Sequence, residues 1–130
     1  MKVVVHKNST GVSITYPVDQ DVESIASKLD DACIMEVSDL PEDRVFRNSW
    51  ELNGEKVSVN LDKAREQCHI RRREVREEKF SKWDVKMTIP SEATYAEKQR
   101  QKIRTKYAEI QKGIDAAENA SDLGVIYTEL

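Results

Sequence analysis

Long apolar runs are missing from this sequence of 130 residues: none exceeds four consecutive apolar side chains. A helix that crosses a bilayer needs about 20, so a spanning helix is excluded. Met1–Lys7 (MKVVVHK) has no apolar h-region, and no secretory signal is expected. Only two cysteines occur, Cys33 and Cys68, too few for a disulfide framework. Four glycines supply no glycine-rich phosphate loop. Eight aromatics and a hydrophobic share of 38% limit the core, and the length leaves no room for a large enzyme with a deep cleft. What the chain has in quantity is charge, at 35% of all residues.

That charge is unevenly placed. Residues 1–60 carry 6 Lys and Arg against 11 Asp and Glu, whereas residues 61–130 carry 15 against 13. The shift from sparse and acidic to dense and mixed coincides with a change of hydrophobic period. It predicts two regions, an α+β head over 1–60 and an extended helical arm over 61–130.

In the first region, Lys2–Lys7 is β-branched and ends at the turn-like Asn8-Ser9-Thr10-Gly11. Residues 12–16 alternate, and Pro17 closes them. A hairpin follows from this pattern. Val22, Ile25, Ala26 and Leu29 have helical spacing, which predicts a short helix over 20–30 capped by Asp19. Residues 32–38 read as a third strand. Asn53-Gly54, between Trp50-Glu51-Leu52 and Val57-Ser58-Val59, signals a type I′ hairpin with Trp50, Leu52, Val57 and Val59 on one face. The expectation is a small, mostly antiparallel sheet with one helix against it.

In the second region, Asn60 precedes a helix with a thin stripe of Leu61, Ala64, Cys68, Val75 and Trp83, interrupted at Arg71 and Arg72. The pairs Arg73–Glu77, Glu78–Lys82 and Arg71–Glu74 have supporting spacing. Pro90 breaks this helix, and Ser91 is placed to cap the next. There, Ala96, Ile103, Ile110 and Ala117 recur every seven residues, with Tyr107 and Ile114 on the adjoining seam. This is a coiled-coil pattern. A narrow stripe on so long a helix must pair with the preceding helix, with another copy, or with a different chain. Gly113 lies inside it, and Asn119 to Asp122 reads as a stop and restart before Leu123, Ile126, Tyr127 and Leu130.

Chemistry-bearing groups are scarce. Cys68 and His69 are adjacent on a helix, so their side chains diverge by about 100° and do not chelate one metal. No CxxC or HxxxH spacing occurs. A Cys–His nucleophile pair lacks an orienting third group, and carboxylate pairs such as Glu77-Glu78 read as solvated surface. Arg71 to Arg76 (RRREVR) could follow phosphates, but acids interrupt the run and no aromatics interleave it. Neither a catalytic residue, a metal ligand nor a cofactor is expected. Trp50, Trp83, Arg71 and Arg72 stand out as candidate interface anchors.

Asp39 to Glu66 resembles a group of small proteins encoded in the tail-gene region of tailed bacteriophages. The residues that carry the resemblance are Asp39, Leu40, Pro41, Asp43, Arg44, Phe46, Arg47, Asn48 and Trp50, then Lys63, Ala64 and Arg65. Gln99 to Ile110 and Ser121 to Leu130 are similar in layout to the helices that follow in that group. Tail-fibre assembly chaperones share the helical tail more loosely, and Tyr127 stands where they usually carry Trp.

The resemblance implies a non-enzymatic tail-associated structural or adaptor protein, located in the virion tail, or in the host cytoplasm during assembly. Its partners would be other tail or fibre proteins. The heptad adds a homo-oligomer, with Ala96, Ile103, Tyr107, Ile110, Ile114 and Ala117 as the interface. A tail-fibre assembly chaperone is the first alternative. A nucleic-acid-binding regulator acting through Arg71–Arg76 is the second, disfavoured by the acidic balance of the chain.

Overall fold

A computed structural model describes residues 1–130. The fold is α+β, with antiparallel strands at the N-terminus followed by long helices. Two compact units divide at Leu61, Met1–Leu61 and Asp62–Leu130.

In the first unit, β1 (Lys2–Lys7) pairs antiparallel with β2 (Val12–Thr15) and with β3 (Cys33–Glu36), giving the order β2-β1-β3. The turn between β1 and β2 closes through Asn8 N–H donating to the Gly11 carbonyl at 3.0 Å. The Asn8 side chain accepts from Thr10 N–H at 2.9 Å, the Asx arrangement that favours asparagine there. A Cβ on Gly11 would meet the Trp50 carbonyl at 3.1 Å, so this close approach calls for glycine.

β4 (Trp50–Asn53) and β5 (Lys56–Val59) form a separate hairpin rather than extending the first sheet. Trp50 lies opposite Val59, and Leu52 opposite Val57, as the alternation predicts. The turn sits one residue later than expected. Asn53 pairs with Lys56, and Gly54 and Glu55 are the central residues. Only Gly54 has positive φ, at 62°. Type I′ needs positive φ at both positions, so this is the pattern of the II′ class, with glycine first.

The hairpin packs on one face of the three-stranded sheet. Val3, Val5, Val12, Met35, Leu40, Trp50, Leu52 and Val57 form its core. Each such side chain contributes about 1.5–3 kcal/mol by leaving water. Val4 points to the opposite face and is fully buried, where α1 (Val22–Ser27) lies against β1 and β3. α1 is shorter than the predicted 20–30. Its cap is Asp21 rather than Asp19, the carboxylate accepting from Ser24 N–H at 2.7 Å. That bond, first of all, holds the Asp21 carboxyl below its usual range. A 3₁₀ turn, Val37–Asp39, ends β3 earlier than predicted.

The second unit is a helical hairpin with a short closing helix: α2 (Leu61–Lys86), α3 (Ala93–Ala116) and α4 (Ala120–Glu129). At about 1.5 Å per residue the two long helices run some 36–39 Å. They are antiparallel. Arg65 donates to the Ala117 carbonyl at 2.6 Å, His69 meets Asp115 at 2.8 Å, and Asp84 meets Arg100 at 2.9 Å. Partners therefore descend on α3 as they ascend on α2. Ser91 does not cap α3. Glu92 occupies that position without a side-chain bond, and the Ile89 carbonyl accepts from Glu92 and Ala93 N–H across the bend. Asn119 caps α4, accepting from Asp122 N–H at 2.8 Å.

Gly113 lies within α3, and a Cβ there would touch Ile126 of α4 at 3.6 Å, an ordinary contact. With helical backbone and no clash, Gly113→Ala should stabilise the helical unit by about 1 kcal/mol. Chemical denaturation reads this as a higher midpoint; a lower one would show that the approach of α4 tolerates no methyl group.

Candidate interaction surface

The six expected seam residues divide into two sets, and the last of them, Ala117, is the C-cap just past the end of α3. Ala96, Tyr107, Ile114 and Ala117 are buried within the chain itself, at 7% exposure or less. The seam packs inside the helical unit, so an interface on these four would require the hairpin to open. Ile103 and Ile110 are half-buried. Ile110, Gly113, Ile126 and Leu130 line an open groove of about 340 Å³ between α3 and α4.

The expected anchors also separate. Trp50 is fully buried, with the Arg47 guanidinium 4.7 Å and the Arg44 guanidinium 5.8 Å from its ring centre. Arg47 also donates to the Val12 carbonyl at 3.1 Å, and Arg44 to the Tyr16 hydroxyl at 3.1 Å. Leu40 and Phe46 are buried as well. The Asp39–Trp50 segment thus serves the core and the link into β4, and Trp50 is not a surface anchor. Only Trp83, half-buried, and Arg71 keep surface.

Arg72 is the side chain that completes the interrupted α2 stripe. With Ala64, Cys68 and Val75 it is buried, at 8% exposure. Its Nε–H donates to His69 Nδ1 at 3.3 Å, while His69 Nε2 lies 2.8 Å from Asp115. An arginine donates only, so Nδ1 must be the acceptor, and Nε2 carries the proton toward Asp115. Burial, first of all, lowers the Arg72 pKa, with Arg73 and Arg76 adding to it and Asp115 opposing. Burial also pushes the Cys68 thiol up to about 11, which favours the thiol over the thiolate at neutral pH.

The four arginines of the basic run do not form one row. Arg71 pairs with Glu74 at 3.5 Å, and Arg72 with His69. Arg73 pairs with Glu66 at 3.6 Å rather than with Glu77, and Arg76 stacks on Phe80 at 4.6 Å. No three His, Cys, Asp or Glu side chains converge as a metal-binding group. No helix is long and apolar enough to cross a membrane.

A surface that the sequence reading did not single out lies around the turn between α2 and α3. Val85 is 66% exposed, Ile89 40% and Tyr95 59%. Tyr95 meets Trp83 edge to face with ring centres 5.7 Å apart, and Lys82 and Lys86 lie 4.7 and 5.4 Å from the Trp83 ring centre. The available signal was that Val85, Ile89 and Tyr95 fall outside both buried stripes and flank Pro90. Scattered exposed apolar residues are ordinary, but a partly exposed pair of aromatic rings with further apolar residues exposed near the same turn has the composition of a binding surface. No protein-family model, curated protein or solved structure matches this chain.

Proposed function

We propose that this chain is a non-enzymatic structural or adaptor protein of a bacteriophage tail, carried in the virion in several copies and binding other tail or fibre components. The observation that carries the binding role is the Trp83–Tyr95 ring pair at the turn of the helical hairpin, with Tyr95 59% exposed and Val85 and Ile89 exposed near the same turn. Aromatic side chains bury large areas with few rotatable bonds, which suits them to anchor a protein contact. The tail assignment rests on the resemblance over Asp39 to Glu66. The buried part of the α3 seam is taken up within the helical unit, which leaves the Trp83–Tyr95 end of the hairpin open to a partner.

A tail-fibre assembly chaperone would use the same patch but leave before the particle is complete. Mass spectrometry of purified particles separates the two readings. The adaptor reading expects the polypeptide at a fixed ratio to a tail protein. Its absence from particles, with a fibre protein co-purifying from infected cells, would instead establish the chaperone role. The divergent partners of Arg71, Arg72, Arg73 and Arg76 count against a phosphate-tracking surface.

A further inference from the structure

We infer that the cleft around Phe80 on the helical unit is a docking point for a single carboxylate side chain on the surface of a partner protein. The inference rests on the adaptor reading and names a second contact on the same hairpin. Arg76, Glu77, Phe80 and Asp84 of α2, with Arg100 and Arg104 of α3, line a cleft of about 410 Å³. Three guanidinium groups surround the Phe80 ring, at 4.6 Å for Arg76 and 5.9 Å for both Arg100 and Arg104.

Two of the three are already committed. Glu97 accepts from Arg100 and from Arg104, each at 2.7 Å, and Asp84 lies 2.9 Å from Arg100. Gln101 accepts from Arg104 at 3.0 Å. Arg76 alone of the three makes no ion pair. Its guanidinium is oriented by the ring, yet its five N–H donors have no carboxylate to meet. A planar, pre-oriented fork of this kind matches a carboxylate in two parallel bonds with little further loss of side-chain freedom.

The surrounding acids decide between classes of anion. Glu77 and Asp84 line the cleft, and Glu97 is held by Arg100 and Arg104. With Arg100 and Arg104 already paired, only the Arg76 charge is left to neutralise, which matches one carboxylate, whereas a row of phosphates would bring further negative charges up to Glu77 and Asp84. The cleft therefore selects an isolated acidic side chain on a protein.

Titrating the full-length chain with a capped Ala-Glu-Ala peptide, while following the Nε–Hε NMR signals of its arginines, tests this. Parallel titrations use the capped Ala-Gln-Ala peptide, inorganic phosphate and a single-stranded oligonucleotide. The expected result is a saturable shift at Arg76, with a smaller one at Arg104, for the Glu peptide only. In Arg76→Ala the Arg104 response disappears, and in Arg76→Lys it weakens, because an ammonium lacks the planar fork. No saturable shift, an equal shift with the Gln peptide, or tighter binding of phosphate or the oligonucleotide would overturn the inference. Full retention of a tail protein by Arg76→Ala would overturn it while leaving the adaptor reading intact. A normal Glu-peptide response in a chain that retains no tail protein would defeat the adaptor reading alone.

Discussion

Trp50→Ala should destabilise the first unit by about 3–5 kcal/mol, the cost of emptying a buried aromatic site. Whole domains are held by only about 5–15 kcal/mol, so this loss leaves the unit near its unfolding threshold. Trp50 joins the hairpin of β4 and β5 to the face of the three-stranded sheet, alongside Val3, Val5, Val12 and Leu52. Its removal also leaves Arg47 and Arg44 without the ring they lie over. The indole N–H finds no acceptor, so Trp50→Phe removes an unsatisfied donor and should cost far less than Trp50→Ala. Chemical denaturation monitored on the strand signals measures both. A loss below about 1 kcal/mol for Trp50→Ala would show that the hairpin docks without it.

Much of this unit was legible in advance, because its signals are local. β-Branched composition placed β1, alternation placed β2, and the Asn-Gly pair placed the hairpin of β4 and β5. What escaped were choices made by competing local bonds. Asp21 rather than Asp19 caps α1 because its carboxylate reaches Ser24 N–H at 2.7 Å. The β4–β5 turn shifted by one residue because Asn53 stays in the ladder opposite Lys56. The split into two sheets depends on how the hairpin folds over the first sheet, a non-local packing choice that strand patterns do not carry.

The helical unit shows the same division. Helical period identified the α3 seam, and the structure buries most of it. It could not say what would cover the seam, since period is blind to the partner. Arg72 read as an interruption of the α2 stripe because its acceptance into the interior depends on His69, itself held by Asp115 from α3, 46 positions away. The exposure of Val85, Ile89 and Tyr95 was hidden for the matching reason. Which apolar residues stay in water is settled only when the two helices choose their facing sides.

That division dictates how partner binding must be tested. A charge placed at Ile114, which is fully buried, would be an uncompensated buried ion and would unfold the hairpin, so lost binding there would say nothing about a surface. Val85 and Tyr95 are more than half exposed. Replacing both with Asp removes apolar contact area while leaving the seam untouched. The variant forfeits the Trp83–Tyr95 ring contact, worth about 0.5–1.5 kcal/mol, and should keep its helical circular dichroism. At a partner surface the same two changes remove contact residues and leave charges facing a dry interface. The expected weakening is at least about tenfold, or 1.4 kcal/mol.

The decisive measurement is co-purification of the tagged chain with a panel of bacteriophage tail and fibre proteins, comparing wild type with Val85→Asp/Tyr95→Asp at matched helical content. The adaptor account predicts that the wild type retains a tail protein and that the double variant loses it. Equal retention by both, or a wild type that binds none of them, would contradict it.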